Sequence, residues 1–391
     1  MHRRSPFLAA VTAGLLLVAA CSSDDDDGGA PGSTTTAETV EAADSSTTTS
    51  ESAVEALDTS ALGPYSVGRR TVTITDPGRS DRMLTTDIWY PTDATEGDAS
   101  TYSFAPGIEY DSDVALDAPR ASEAGPFPLV VYSHGSGGLR YVSSFLTETL
   151  ASHGVVVVAP DHAGNTTLDS IVGSEADRET IVRDRPLDVS LVIDAMLSGS
   201  ADLDITKIID GGQIGVIGHS FGGYTALAMG GGVSAFDIVD DDRVTVIVPL
   251  APAAGVLSDE DLAAIEVPTM VISGTLDTST PIDPNTDRVT DLVSGPVTRV
   301  DLEGATHQSF SDVCDYTVLL RDLDVDASLI DFVDGFADNT CDPNVLDVEL
   351  AHHLINRYAI AFLLAELTGS PAAQATLDAA APDAVSVTAR G

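Results

Sequence analysis

One stretch constrains this chain more than any other: Gln213-Ile-Gly-Val-Ile-Gly-His-Ser-Phe-Gly-Gly-Tyr-Thr-Ala-Leu227. An apolar, β-branched run leads into Gly218-x-Ser220-x-Gly222, and small, helix-compatible residues follow. The pattern predicts a strand that turns sharply into a helix and lifts one hydroxyl above the sheet edge. Such a turn forces Ser220 into strained backbone angles, and a Cβ at Gly218 or Gly222 would strike the neighbouring strand or helix. A match this short arises easily by chance. Its meaning depends on whether the rest of the chain supplies partners in a set order.

The chain splits by composition before that question is asked. Met1 to Ala20 reads as an export signal, with Arg3 and Arg4 ahead of an apolar run from Phe7. Val18-Ala19-Ala20-Cys21 resembles a bacterial lipobox, which makes Cys21 the expected lipidated first residue of the mature protein. Residues 21–61 hold Asp24 to Asp27 and runs of Ser, Thr, Ala and Glu that cannot bury enough apolar surface to offset chain entropy. They are expected as a disordered linker. Residues 62–370 form the expected single catalytic domain, with 371–391 as a C-terminal tail. Acidic residues number 61 against 18 basic ones, a formal charge of -43. A surface of that sign repels nucleic acid and anionic lipid headgroups, so membrane contact is expected only through the lipid anchor. A monomer is assumed, since no residue pattern fixes an oligomeric state.

Strands and helices alternate along the domain. Arg70 to Thr75 and Met83 to Tyr90 flank Asp76-Pro77-Gly78 as an antiparallel hairpin. Thr92 to Gly125, polar and interrupted by Pro and Gly, reads as an irregular surface excursion. Pro128–Ser133, Val155–Ala159, Val244–Leu250, Thr269–Ser273 and Val297–Leu302 read as strands, most of them apolar runs of the kind buried on both faces. Helical spacing covers about Tyr141–His153, Thr180–Leu197, Thr286–Val293 and Leu350–Leu367. The alternation predicts an α/β fold with a mostly parallel sheet.

If Ser220 is a nucleophile it needs a base, because a free alcohol is almost fully protonated at neutral pH. In a strand–elbow–helix architecture the acid and then the histidine follow the serine along the chain. Asp277 stands after Thr269–Ser273 and Gly274, at a strand's C-terminal end, and Asp259 is the runner-up after the previous strand. Of the eight histidines, His307, His352 and His353 lie beyond Asp277. The last two sit inside a helical stretch, whereas His307 occupies the loop after the final strand of the sheet. The anionic intermediate of acyl transfer needs preorganised donors. Phe221, directly after the serine, offers one N–H, and Ser136 in His134-Gly-Ser-Gly-Gly138 offers the other. His134 is expected to bond backbone in its own loop, and His162 either lines the pocket mouth or packs. No His-Glu-x-x-His, Walker loop or spaced cysteine pair is present, so neither a metal nor a cofactor is expected. Asp240-Asp241-Asp242 reads as a solvated turn. Cys314 and Cys341, an even pair in an exported chain, suggest one disulfide.

Several further motifs carry a resemblance: Asp87-Ile-Trp-Tyr-Pro91, Tyr132-Ser-His-Gly-Ser-Gly-Gly138, Pro160-Asp-His-Ala-Gly-Asn165 and Arg185-Pro-Leu-Asp188. With Gly218 to Tyr224, Gly274-Thr-Leu-Asp277 and Gly304-Ala-Thr-His307, they make Leu62 to about Gly369 resemble bacterial α/β-hydrolases related to platelet-activating-factor acetylhydrolase and dienelactone hydrolase. Dienelactone hydrolases proper carry cysteine at the elbow, where this chain has Ser220. The resemblance implies an α/β-hydrolase fold and a cofactor-free ester hydrolase whose Ser-His-Asp triad falls on Ser220, His307 and Asp277. Small, lipid and polymeric esters are the substrate classes it leaves open, cutinase-like polyester hydrolysis among them. An acyltransferase and an inactive binding protein on the same fold are the alternatives of another class.

Overall fold

The computed structural model describes residues 54–391 apart from 106, 324 and 338. The export signal, Cys21 and most of the expected linker therefore lie outside the described residues. Eleven strands form one sheet: β1 (Ser66–Asp76), β2 (Arg82–Thr92), β3 (Ala99–Ala105), β4 (Ile108–Asp117), β5 (Phe127–Ser133), β6 (Val156–Pro160), β7 (Ile209–His219), β8 (Val244–Leu250), β9 (Thr269–Gly274), β10 (Val297–Leu302) and β11 (Val385–Arg390). Their order is β11-β10-β9-β8-β7-β5-β6-β2-β1-β4-β3.

The middle of the sheet, from β10 through β6, is parallel. β5 and β9 are buried along their whole length, as is the second half of β7, which is why they read as continuous apolar runs. Side chains of opposite parity feed two cores. On one face Val130, Ile217, Val248 and Ile272 pack under the helices Ser144–Ser152 and Val348–Thr368. On the other, Val131, Val216 and Ile247 pack under Arg178–Ser198 and Phe221–Gly231. The buried stripe of Arg178–Ser198 includes Val182, Val189, Val192, Ile193 and Met196, as its spacing predicts. Each such aliphatic side chain stabilises the fold by about 1.5–3 kcal/mol relative to exposure. β1 and β2 form the expected antiparallel hairpin, with Ile74 opposite Leu84.

The structure departs from the sequence reading at three places. Residues 92–125 are not an irregular excursion, because β3 and β4 pair antiparallel within them and β4 runs parallel to β1 through Val67 and Ala115. Tyr102, Phe104 and Ile108 bury themselves there, and the surrounding Pro, Gly and Asp residues mask their alternation. Residues 371–391 are not a tail: Pro371–Asp378 is a helix capped by Ser370, and β11 adds an antiparallel edge strand to β10. Finally, the described end of the linker docks. Leu57 N–H donates to Ala372 O at 3.0 Å, and the buried Thr59 hydroxyl donates to Arg357 O at 2.8 Å.

β5 and β7 lie side by side, yet the chain runs from β5 outward to β6 before returning to β7. This is the switch point of an open parallel sheet, where loops at the strands' C-terminal ends diverge and leave a crevice. The loops after β5 and β7 are His134–Gly138 and the Ser220 turn.

Candidate active site

The elbow forms as its sequence dictates. Ser220 sits at φ 58° and ψ -113°, a conformation that costs an L-residue on the order of 1–3 kcal/mol and persists only when its surroundings over-determine it. Those surroundings are visible. Ser220 N–H donates to Leu250 O at 2.9 Å, and its carbonyl accepts from Ala253 N at 3.0 Å and Tyr224 N at 3.1 Å. A Cβ on Gly222 would fall 1.8 Å from Ser133 O, and one on Gly218 would fall 2.5 Å from Gly222 O. Both glycines are obligatory for steric reasons.

The structure brings three of the expected residues into line. His307 Nε2 lies 2.9 Å from Ser220 Oγ, and His307 Nδ1 lies 2.7 Å from Asp277 Oδ2. His307 opens a short turn after β10, and Asp277 follows β9, so adjacent parallel strands deliver both. Burial would raise the Asp277 pKa, but the hydrogen bond and charge of His307 and the donors of Thr280 hold it below the usual carboxylate range. Ser279 N, Thr280 N and Thr280 Oγ1 each donate to it at 2.8 Å. The carboxylate therefore stays ionised, fixes a proton on Nδ1, and leaves Nε2 free to accept from Ser220. Asp259, the runner-up, is an exposed surface residue paired with Arg288 at 2.6 Å.

His219 has a role that its sequence position alone did not reveal. Its Nε2–H donates to the His307 carbonyl at 2.9 Å, and its ring centroid is 4.7 Å from that of His307. Burial, with the nearby His307 charge, lowers its pKa to about 3, so it stays a neutral brace for the turn that carries His307.

The loop after β5 is braced from below by Arg185, which is fully buried. Its guanidinium donates to His134 O at 2.6 Å, to Gly135 O at 3.0 Å and to Asn165 Oδ1 at 2.7 Å. Asn165 Nδ2 in turn donates to Ser136 Oγ at 3.0 Å. Within a trans peptide the C=O and N–H point in opposite directions. Holding the Gly135 carbonyl toward Arg185 therefore turns the Ser136 N–H the other way. Phe221 is the first residue of its helix, so its N–H has no acceptor four residues back and sits at the positive end of the helix dipole. The Phe221 ring lies 5.2 Å from the Arg185 guanidinium carbon. Burial pulls the Arg185 pKa down to about 9 despite Asp188, which still leaves it charged at neutral pH.

His162 packs rather than lining the mouth. It is fully buried, 2.9 Å from Ser133 Oγ and 3.0 Å from Asp188 Oδ2, and burial helped by the Arg185 charge lowers its pKa to about 4. His134 Nδ1–H donates to Gly135 O at 2.7 Å, in keeping with a backbone-bonding role. Cys314 and Cys341 are joined by a disulfide. A cavity of about 210 Å³ lies over Ser220, bounded by Gly135, Ser136, His219, His307, Gln308 and Phe336 among others.

Comparison with known proteins gives matches of three kinds. Residues 109–190 match the family described as platelet-activating factor acetylhydrolase, isoform II. The chain is 30% identical over 187 residues to cutinase est1 of Thermobifida alba, an alignment covering 47% of this chain and 55% of that protein. It is 27% identical to the platelet-activating factor acetylhydrolase of Cavia porcellus, over 26% of this chain and 31% of that one. Across cutinases of this genus the chain spans only about half to three-fifths of the relatives' length: 55%, 62% and 51%. The fold is similar to that of a ferulic acid esterase from Streptomyces cinnamoneus, with a TM-score of 0.63, 23% identity, and coverage of 83% of this chain and 96% of that one.

Proposed function

We propose that this chain, an α/β-hydrolase in fold with similarity to the platelet-activating-factor acetylhydrolase branch, is an exported serine carboxylic-ester hydrolase acting through an acyl-enzyme. The observation that carries the reading is the unbroken hydrogen-bonded line from Ser220 Oγ through His307 to Asp277, set on a strained elbow at the sheet's C-terminal edge. In this reading Ser220 Oγ attacks the ester carbonyl carbon while His307 Nε2 takes its proton. The N–H groups of Ser136 and Phe221 receive the developing oxyanion, and the imidazolium then protonates the departing alkoxide. Water repeats the sequence on the acyl-serine and releases the acid, so one ester and one water yield one acid and one alcohol.

Export is supported by the N-terminal signal pattern and by the Cys314–Cys341 disulfide, which needs an oxidising compartment to persist. Anchoring through a lipidated Cys21 belongs to the same proposal. The similarity to cutinases favours polymeric esters as a second substrate reading.

A fluorophosphonate probe together with p-nitrophenyl butyrate tests the proposal. Covalent labelling confined to Ser220, with turnover that the probe abolishes, is the expected result. Folded protein that neither labels nor hydrolyses would overturn it. Product analysis with an added alcohol separates hydrolysis from acyl transfer.

Arg185 is a positioning residue in this reading. Arg185→Lys keeps a charge but cannot reach two carbonyls and Asn165 at once. Loss of an oxyanion donor costs about 10²–10³-fold in kcat, and a partly misplaced Ser136 N–H should approach the lower figure with KM little changed. Steady-state kinetics check this. A variant that raised KM alone would speak for a role in substrate binding instead.

A further inference from the structure

His307 rides on one short 3₁₀ turn, His307–Phe310, a conformation whose internal hydrogen bonds are few and poorly aligned. The turn is therefore held in place by the partners of its carbonyls. His307 O accepts from His219 Nε2 at 2.9 Å, Phe310 O from the Ser143 hydroxyl at 2.7 Å, and Ser311 O from His352 Nε2 at 3.2 Å. Ser143 has one hydroxyl proton and gives it to Phe310 O. Tyr132 on β5 must then donate to Ser143 Oγ across their 2.6 Å contact.

Asp312 completes the arrangement. It stands at the N-cap position of the helix Val313–Asp322, yet its carboxyl makes no capping bond to that helix. Instead Asp312 Oδ2 accepts from Ser144 N at 2.6 Å and from Ser144 Oγ at 2.5 Å. Ser144 opens the helix Ser144–Ser152, whose first N–H groups have no partner within the helix. That helix's own N-cap residue, Ser143, does not cap it, because its hydroxyl is committed to Phe310 O. Asp312 N–H in turn donates to Val142 O at 2.7 Å. Residues 142–144 and 310–312 thus exchange four hydrogen bonds, given in both directions. Ser143, Phe310 and Asp312 are all buried, so water does not stand ready to replace these bonds.

The two segments serve different parts of the site. Residues 142–144 end the connection that begins after β5 with His134–Gly138, the loop that offers the Ser136 N–H. Residues 310–312 end the turn that carries His307. Resting on the ester-hydrolase reading, we propose that Asp312 and Ser143 are positioning residues for its base: their clip locks the His307 turn to the segment that follows the oxyanion loop, and so fixes the line from His307 Nε2 to Ser220 Oγ. Val142 and Ser311, one from each half of the clip, line the cavity over Ser220 and pass the constraint to it. Burial raises the Asp312 pKa to about 8 against the pull of the Ser144 donors. Near neutral pH its carboxyl is accordingly mostly protonated and acts through a neutral oxygen acceptor, which an asparagine amide also presents.

Turnover of p-nitrophenyl butyrate, thermal unfolding and fluorophosphonate labelling of the whole protein test the clip. A misplacement of reacting groups by about 1 Å costs about 10²-fold, so Asp312→Ala should lower kcat by about 10–100-fold with KM changed by less than about threefold. Ser143→Ala removes a different bond of the clip and should lower kcat by about 10-fold in the same pattern. Asp312→Asn should recover most of the loss. A residue that acts through His307 has nothing left to position once the imidazole is gone. Adding Asp312→Ala to His307→Ala should therefore change the residual rate by less than about twofold. A purely structural contact would instead lower Tm while leaving kcat per folded molecule at the wild-type value. Folded Asp312→Ala or Ser143→Ala with wild-type kcat would overturn the proposal, as would an undiminished loss in the His307→Ala background. Should Asp312→Ala fail to fold, Ser143→Ala carries the same test, alone and over His307→Ala. Fluorophosphonate labelling of Ser220 in the wild type keeps the ester-hydrolase reading standing through such a failure. A folded wild type that neither labels nor turns over removes the reading itself.

Discussion

Replacing Ser220 with alanine is expected to lower kcat for p-nitrophenyl butyrate by about 10⁴–10⁶-fold, the range seen when one member of a hydrolase triad is removed. The size follows from the geometry. Proton transfer at the site runs from Ser220 Oγ to His307 Nε2 at 2.9 Å, with Asp277 at 2.7 Å from His307 Nδ1. Groups that act as one unit do not contribute additively, so Ser220→Ala combined with His307→Ala should cost no more than Ser220→Ala alone. A second readout addresses the backbone. Alanine at φ 58° inherits the strain of the elbow, whereas glycine does not. Ser220→Gly should therefore be equally inactive yet more stable than Ser220→Ala by about 1 kcal/mol. Stopped-assay kinetics and thermal unfolding of the two variants check both statements. Turnover within 100-fold of wild type in Ser220→Ala would remove Ser220 from the mechanism.

The parts of this site that were legible in the sequence are those whose physics is local or ordered. Gly218 and Gly222 are legible because any strand-to-helix elbow of this kind packs the two against each other and against the neighbouring strand, here at Ser133 O, so a short motif encodes them. Asp277 and His307 are legible because parallel strands deposit their following loops on one edge, which converts chain order into spatial proximity. The braces were not legible in the same way. Arg185 and Asn165 were visible as motif members, but their bonds to Gly135 O and Ser136 Oγ depend on how a helix packs against a loop 50 residues earlier. His219 is adjacent to the nucleophile in sequence, yet its partner is a carbonyl 88 residues away. The edge strands failed for a different reason. β11 alternates Val385, Val387 and Ala389, a period-two pattern present in the sequence, but the stretch is short and follows a run of Ala, Pro and Asp. The β3–β4 hairpin is likewise interrupted by polar residues because one of its faces meets solvent.

Stability is expected to fall as pH drops from about 6.5 toward 4, even though the loss of negative charge on so acidic a chain argues for the opposite. His134, His162, His219 and His352 are each held below the ordinary histidine pKa chiefly by burial, to about 4 for His162 and His352 and about 3 for His219. A histidine whose pKa is lower folded than unfolded binds its proton preferentially in the unfolded state. Its contribution is fully present above pH 6.5 and is lost as pH falls toward the folded pKa. Each such group weighs about 1.4 kcal/mol per pH unit over that window. The three with folded values of about 3–4 reach about 6 kcal/mol by pH 5, of which Asp312, raised by burial to about 8 and so binding its proton preferentially when folded, offsets about 2 kcal/mol. Burial likewise raises Glu148 and Asp161, which act in the same sense as Asp312, whereas an ordinary solvated carboxylate takes up its proton near pH 4, below the window in which the histidines act. Below that window the depressed carboxyls of Asp188 and Asp277, whose stabilisation is lost only as they protonate, add a further decline. Thermal unfolding followed from pH 7 to 4 should show a steep fall in Tm beginning below 6.5. His352→Gln, on the helix Val348–Thr368 and bonded to Ser311 O, should remove about one proton from that slope. A Tm that holds level or rises toward pH 4.5 would mean that charge relief wins and that the buried imidazoles are protonated in place.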